Sequence, residues 1–169
     1  MSTSLYDFSV PAFTLALTNL SNQMDKAAAY AERKKFDTKA FADARLIADM
    51  LNFTKQVQIA CDNAKAPVAR LAGIEIPKHE DNETTFPELK ARIAKTLDFL
   101  KALQREQFVG AETRDIVLTF PGLTLKFKGQ DYLTKFALPN FYFHAAMAYA
   151  LLRQNGVELG KSDFIGAVQ

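Results

Sequence analysis

Apolar residues recur at intervals of three to five along much of this chain, close to the spacing of one face of an α-helix. Between residues 5 and 34 the recurring residues are Leu5, Phe8, Phe13, Leu17, Leu20 and Met24. Between residues 39 and 72 they are Leu46, Met50, Phe53, Val57, Ala60 and Cys61. The pattern predicts a long helix in each segment, and Asp37 or Thr38 can cap the second one. We expect Pro67 to kink or break that helix and Gly73 to end it.

A polar loop follows at residues 74–85, and a third helix is predicted after it. Thr85 can cap this helix, and Glu88 lies in its first turn. The apolar spacing continues to about residue 105. His79 lies in the loop between a lysine and a glutamate, where we expect it to be exposed and without a role.

Residues 106–130 change to an alternation of apolar and polar positions around Pro121 and Gly122. Such two-residue periodicity on both sides of a Pro-Gly turn predicts a β-hairpin. Lys126 and Lys128 would face solvent on its second strand.

The last long helix is predicted between Pro139 and Gly156, because proline suits a first helical position and glycine a helix end. Asn140 and His144 lie four residues apart, so their side chains share one face, where they are the only polar interruption. The tail at residues 157–165 is expected to fold back and pack Phe164 and Ile165 on the helices.

Composition bounds the class of protein without indicating a reaction. The 169 residues are expected to form one domain, 1–169, since 49% apolar residues suffice for a full core. The single cysteine, Cys61, allows no intrachain disulfide and no thiol-rich metal site, and we interpret it as a small buried residue. The net charge of +2 argues against nucleic acid as a partner. Without a long uncharged apolar run or a secretory signal, the chain is expected to be cytoplasmic and not to span a membrane.

No motif indicates a reaction, since GxGxxG, GxxxxGK[ST], HExxH and GxSxG do not occur. One constellation joins the second helix to the last, namely Asp49 and Gln56 with Asn140 and His144. Zinc takes three or four ligands, and here Asn140 would be a poor third beside Asp49 and His144. We therefore expect no cofactor, with a divalent metal at Asp49 and His144 as the alternative. His144 could also act as a general base, or merely hydrogen-bond to Asn140 or a neighbouring helix.

Several stretches resemble a known family. They are Pro139–His144, the following AYALLRQNGVELGKSDFIG, Ala44–Gln56 and Ala69–Gly73. The chain is similar to domain-of-unknown-function family 1993, which belongs to the DinB/YfiT-like superfamily. The resemblance covers nearly the whole chain and implies a mostly α, up-down-down-up four-helix bundle with one short β-hairpin before the last helix. Metal-binding members use a histidine on the second helix and an HxxxH pair on the fourth. The resemblance places Asn140 and His144 at the pair and Asp49 near the other position, which implies a degenerate metal site.

Three functions fit these observations. The first is small-molecule binding, or a stress-related role, at a polar pocket between the second and last helices. Its predicted lining is Asp49, Gln56, Asn140 and His144, with Lys161 and Asp163 at the mouth. The second is an enzyme, either a metal-dependent hydrolase or thiol transferase with an altered ligand set, or a metal-free catalyst that uses His144. The third is an oligomeric structural module, and a homodimer is compatible with all three. The site requires that Asp49, Asn140 and His144 lie close together.

Overall fold

The computed structural model describes residues 3–166, and four long helices dominate this part of the chain. The helices are α1 (Leu5–Lys34), α2 (Lys39–Ala42), α3 (Phe53–Ala72), α4 (Phe86–Ala102), α5 (Gly129–Asp131), α6 (Leu138–Gln154) and α7 (Lys161–Ile165). Two 3₁₀ turns (Arg105–Phe108 and Ala111–Thr113) and a π-helical segment (Tyr132–Ala137) complete them. Strands β1 (Asp115–Phe120) and β2 (Leu123–Lys128) form the antiparallel hairpin that the alternation predicted.

Two of the predicted helix ends are set by local capping. Thr85 caps α4 reciprocally with Glu88: the threonine hydroxyl accepts from the Glu88 N–H, and the glutamate accepts from the Thr85 N–H at 2.9 Å. Gly73 ends α3 in the left-handed conformation, with φ of 71°, which a glycine adopts without steric cost. Both predictions are confirmed.

The prediction of one helix over residues 39–72 is wrong in its first part. The short α2 ends at Ala42, and α3 begins only at Phe53. The side-chain oxygen of Asn52 accepts from the Lys55 N–H at 3.1 Å and so caps a new helix start. The apolar residues between the two helices do not reach the core, since Leu46 is 42% and Ile47 57% exposed. Residues 43–52 are therefore an irregular connection rather than a helical face.

Of the kink or break expected at Pro67, the break does not occur, because α3 runs through this residue to Ala72. Proline removes one backbone hydrogen bond from a helix interior. Here the residues on either side, Ala64, Val68 and Leu71, are fully buried. Tertiary packing of this face supports the helix despite the missing bond.

Contacts between residues give the directions of the long helices. Helix α1 is antiparallel to the α4 segment, α3 is parallel to α4, and α6 is antiparallel to α3. Between α1 and the α4 segment, Asp25 contacts Lys90 and Asp7 contacts Arg105. Between α3 and α4, Phe53 contacts Phe86 and Asp62 contacts Arg92. Between α3 and α6, Gln56 contacts His144 and Asn63 contacts Asn140. The order is therefore up, down, down, up, as the sequence resemblance implied.

The hairpin and the tail both pack on this bundle. Ile116 and Leu118 of β1 are buried, whereas Lys126 and Lys128 of β2 are exposed as predicted. The tail folds back on α1, where the Asn19 side chain donates to the Phe164 carbonyl at 3.0 Å. The packing prediction holds for Phe164 but only in part for Ile165, which stays 44% exposed. None of the helices in residues 3–166 has the length and apolar character needed to cross a membrane.

Candidate functional site

A row of polar contacts runs along the interface between α3 and the last helical stretch. Its residues on α3 are Gln56, Asn63 and Arg70, which lie seven positions apart. Seven residues make nearly two full helical turns, so the three side chains face the same neighbouring element. We call this row the polar seam. Its pairs are Gln56 with His144 at 2.7 Å, Asn63 with Asn140 at 3.4 Å, and Arg70 with Tyr132 at 3.2 Å.

The π-helical segment Tyr132–Ala137 brings Tyr132 into the seam. An α-helix turns about 100° per residue, so an unbroken helix would place Tyr132 about 120° around the axis from His144. The i→i+5 hydrogen bonds of a π-helix close wider turns, which use fewer degrees per residue. The Tyr132 side chain therefore returns to the α3 side, where its hydroxyl meets Arg70. Burial raises the pKa of this tyrosine, so the hydroxyl keeps its proton.

The hydrogen bonds of Gln56 determine the tautomer of His144. The amide nitrogen of Gln56 donates to the Leu51 carbonyl at 3.2 Å, so its oxygen faces the imidazole. An amide oxygen only accepts, so Nδ1 of His144 carries the hydrogen and Nε2 has a lone pair. Partial burial lowers the pKa of His144 below its usual range, which keeps the ring neutral at neutral pH. The seam thus holds a half-buried imidazole with one available acceptor nitrogen.

The seam also holds an unused donor. The side-chain nitrogen of Asn63 is buried and has no hydrogen-bond partner among the described residues. Leaving such a group unpaired costs about 1–3 kcal/mol.

One exposed aromatic side chain borders the His144 end of the seam. The ring of Phe143 meets the His144 imidazole edge-on, with centroids 5.2 Å apart, and Phe143 is 52% exposed. The imidazole therefore borders apolar surface that is open to solvent.

Comparison with known proteins identifies the family. The model described as "Domain of unknown function (DUF1993)" matches residues 5–165. The chain belongs to the DUF1993 family. This DUF1993 chain is similar to a DinB family member protein from Shewanella denitrificans whose crystal structure is known, with 46% sequence identity. The match covers 97% of this chain and 93% of that chain, with a TM-score of 0.91. The fold is therefore DinB-like. The comparison with curated proteins found no match.

The seam of this DUF1993 protein does not fit a transition metal. Zinc and nickel sites need three or four nitrogen, sulfur or charged oxygen ligands. At the seam, His144 offers one nitrogen, and Gln56 and Asn140 offer neutral amides that are already hydrogen-bonded. Across residues 3–166, no group of three or more His, Cys, Asp or Glu side chains could hold a metal ion.

The structure brings together only part of the predicted site. Gln56, Asn140 and His144 share the interface of α3 and α6. Asp49 lies exposed in the connection 43–52, and no hydrogen bond or ion pair within the described chain joins it to His144. Its predicted place on a helix was wrong, because that helix begins at Phe53.

The two tail residues belong to a different surface. The Asp163 carboxylate pairs with Lys26 of α1 at 2.6 Å, and this hydrogen bond holds its pKa below the usual range. The Gln23 side chain donates to the Asp163 carbonyl at 2.9 Å. Lys161 is exposed at the start of α7. The polar contacts of the tail are thus with α1 rather than with the seam.

Sequence reasoning missed Asn63, Arg70 and Tyr132. A signal was present for the first two, since Gln56, Asn63 and Arg70 repeat at seven residues on a helix that is otherwise apolar on that side. No local signal marks Tyr132, because its position depends on the π-helical turn.

A second buried polar cluster ties the loop 74–85 to the bundle. Arg92 is 1% exposed and forms ion pairs with Asp62 at 2.8 Å, Asp81 at 2.7 Å and Glu83 at 3.1 Å. The His79 side chain packs beside this cluster and is only 4% exposed, so the expected exposure of this histidine was wrong. Burial, helped by nearby Lys65 and Arg92, lowers its pKa to about 4. The ion pairs of Arg92 anchor the loop to the bundle, although Nε of Arg92 and Nδ1 of His79 are buried without a hydrogen-bond partner among the described residues.

Cys61 is fully buried, and burial raises the pKa of its thiol to about 12. A thiol with such a pKa carries almost no thiolate at neutral pH. This agrees with its interpretation as a small core residue.

Proposed function

We propose that this DUF1993 protein is a cytoplasmic small-molecule binding protein, with the polar seam as its recognition site. The observation that carries the proposal is the contact of His144 Nδ1 with Gln56, because it leaves Nε2 as an acceptor on a neutral, half-buried ring. A stress-related role is compatible with such binding, but it rests on the family resemblance alone.

The surroundings of His144 indicate the chemistry of the ligand. A ligand with an O–H or N–H group would donate to Nε2, and an aromatic or branched body would contact Phe143. Small phenols and hydroxylated aromatic acids combine these features.

Catalysis by His144 without a metal is the second candidate. The same Nε2 lone pair could take a proton from a bound substrate. A carboxylate partner would stabilise the imidazolium that forms, but Gln56 supplies only a neutral amide. This partner favours hydrogen bonding over proton transfer. The metal-dependent hydrolase or thiol transferase is disfavoured, since the ligand set does not fit a metal.

The binding proposal can be tested with 4-methylphenol as the probe and toluene as its matched control without the hydroxyl. Protein labelled with ¹⁵N-histidine is titrated, and the His144 signals are assigned with His144→Phe. We expect a saturable shift of the Nε2 resonance with 4-methylphenol and none with toluene, because only the phenol donates a hydrogen bond. No saturable shift, or an equal response to both compounds, would contradict the proposal.

We also predict that the protein holds no tightly bound zinc or nickel. Amide oxygens replace the two imidazoles poorly, so affinity for these metals should be low. Protein purified without a histidine tag and dialysed extensively should contain far less than one metal per chain by elemental analysis. Stoichiometric metal would show that the ligand set has been misjudged.

A further inference from the structure

Residues 74–85 cross the bundle between two parallel helices, and we call this segment the strap. Because α3 and α4 are parallel, the strap must run back from the end of α3 at Ala72 to the start of α4 at Phe86, which lies beside the start of α3. The 20 residues of α3 span roughly 30 Å, and an extended segment of the length of the strap reaches about 40 Å. The strap therefore has little slack.

The strap adds nothing to the apolar core. None of residues 74–85 is buried, and Ile74 is 37% exposed. A cavity of about 370 Å³ lies between the strap and α4, with His79 and Glu83 on one wall and Arg92 on the other. Segments with few buried apolar contacts are those that open locally in an otherwise folded protein.

Polar contacts around one arginine hold the strap in place. Arg92 of α4 pairs with Asp81 at 2.7 Å and with Glu83 at 3.1 Å. The Gln58 side chain of α3 donates to Glu83 at 2.9 Å. Buried atoms of this cluster nevertheless have no hydrogen-bond partner among the described residues, namely Oε1 of Gln58, Nδ1 of His79 and Nε of Arg92. Such unpaired groups cost free energy, part of which hydration recovers when the strap opens.

Burial and the surrounding charges oppose a proton on the His79 ring. The cations that face it are Lys65 of α3 and both Arg92 and Lys95 of α4. The Asp62 carboxylate favours the proton, but its oxygen lies 3.9 Å from Nδ1, which is too far for a hydrogen bond. Protonation therefore destabilises the closed position of the strap.

The acidic groups near the ring do not offset this effect. Asp62 already binds Lys65 at 2.7 Å and Arg92 at 2.8 Å. The other acidic residues around the cavity come from the strap and from α4, and they are Glu80, Glu83 and Glu88. Glu83 pairs with Arg92, Glu88 caps α4, and Glu80 is exposed. The pKa of His79, lowered to about 4 in the closed protein, agrees with this arrangement.

We propose that residues 74–85 form an acid-released strap, which opens as a unit while the four long helices stay folded. Protonation of His79 promotes the opening, because the charged ring gains water and leaves the three cations. The ends of the strap stay in place at Gly73 and at the Thr85 cap. Opening exposes the Arg92 cluster and the wall of the cavity. The polar seam takes no part, so the proposal is independent of the ligand.

Trypsin cleavage of the full-length folded protein after Lys78 measures the opening. Lys78 lies within the strap, and the chain around it must leave the protein surface to enter a protease. Cleavage then follows the population of the open form when opening and closing are fast. Rates are divided by those of a synthetic peptide of residues 74–85 at the same pH, and mass spectrometry identifies the fragments. From pH 7 to pH 5 the normalised rate should rise about twentyfold, because the open strap binds the proton more tightly.

Two variants separate the roles of the histidine and of the ion pairs. His79→Gln removes the titrating ring, so its normalised rate should change by less than about threefold between the two pH values. Glu83→Gln removes an ion pair with Arg92 and should raise the rate at pH 7 about tenfold. Glu80→Gln is the matched control and should change it by less than about twofold, because Glu80 is exposed and has no ion pair or hydrogen bond within the described chain.

Far-UV circular dichroism at both pH values shows whether the helices stay folded during cleavage. A normalised rate that does not rise at pH 5, or a rise that persists in His79→Gln, would overturn the proposal. Equal effects of Glu83→Gln and Glu80→Gln would overturn it too, as would cleavage that occurs only with loss of the helical signal.

Discussion

His79 shows how burial of a single residue changes its chemistry. Its side chain packs against the Arg92 cluster, and Nδ1 lies 3.9 Å from an Asp62 oxygen, beyond a hydrogen bond. Desolvation and the neighbouring cations oppose protonation, which lowers its pKa from 6.5 to about 4. Between pH 6.5 and about 4, His79 is therefore mostly neutral in the folded protein and mostly protonated in the unfolded chain.

This shift makes stability depend on pH. Between pH 6.5 and about 4, the unfolded state binds more protons at His79 than the folded state, so stability falls as the pH is lowered through this window. The loss from this residue is on the order of 3 kcal/mol. Urea unfolding at several pH values should show a shallower acid decline for His79→Gln than for the unaltered protein. Parallel curves for the two proteins would contradict the shift.

At the scale of elements, capping decides where helices begin. Asn52 ends the irregular connection 43–52 and starts α3, although the apolar pattern continues across it. A capping side chain binds a backbone N–H that would otherwise be unpaired. The helical spacing of apolar residues before Asn52 adds no comparable stability, because those side chains stay exposed.

Asn52→Ala should therefore lower the free energy of unfolding by about 1 kcal/mol. Thr38→Ala is the matched control, because Thr38 precedes α2 without any capping hydrogen bond from its side chain. We expect the control to change stability by no more than about 0.5 kcal/mol in urea unfolding. Equal effects of the two substitutions would show that the Asn52 cap does not set the start of α3.

At the scale of the whole molecule, the tail completes the bundle. Leu159 is 4% exposed, and Phe164 packs on Tyr149 with ring centroids 5.7 Å apart. The Asn19 and Gln23 side chains bind the backbone of α7. The tail thus covers part of α1 that would otherwise be open to solvent.

Removal of residues 159–169 should destabilise the protein measurably. Burying one large apolar side chain contributes roughly 1.5–3 kcal/mol, and the truncation removes the buried Leu159 and exposes the surface beneath it. The melting temperature and the urea midpoint should both fall. Ile165→Ala, at a residue that is 44% exposed, is the control and should have a much smaller effect. An unchanged melting temperature of the truncated chain would mean that the tail contributes no stability.

The sequence by itself determined the features that depend on neighbours along the chain. Four long helices, the hairpin and the caps at Thr85 and Gly73 follow from spacing and capping within a few residues. The shared face of Asn140 and His144 also follows from helix geometry.

Only the tertiary structure decided which distant residues meet. Gln56 rather than Asp49 contacts His144, α3 continues through Pro67, and His79 is buried beside Arg92. Each of these outcomes depends on packing between elements far apart in sequence, which outweighs local preference and which no short-range pattern encodes.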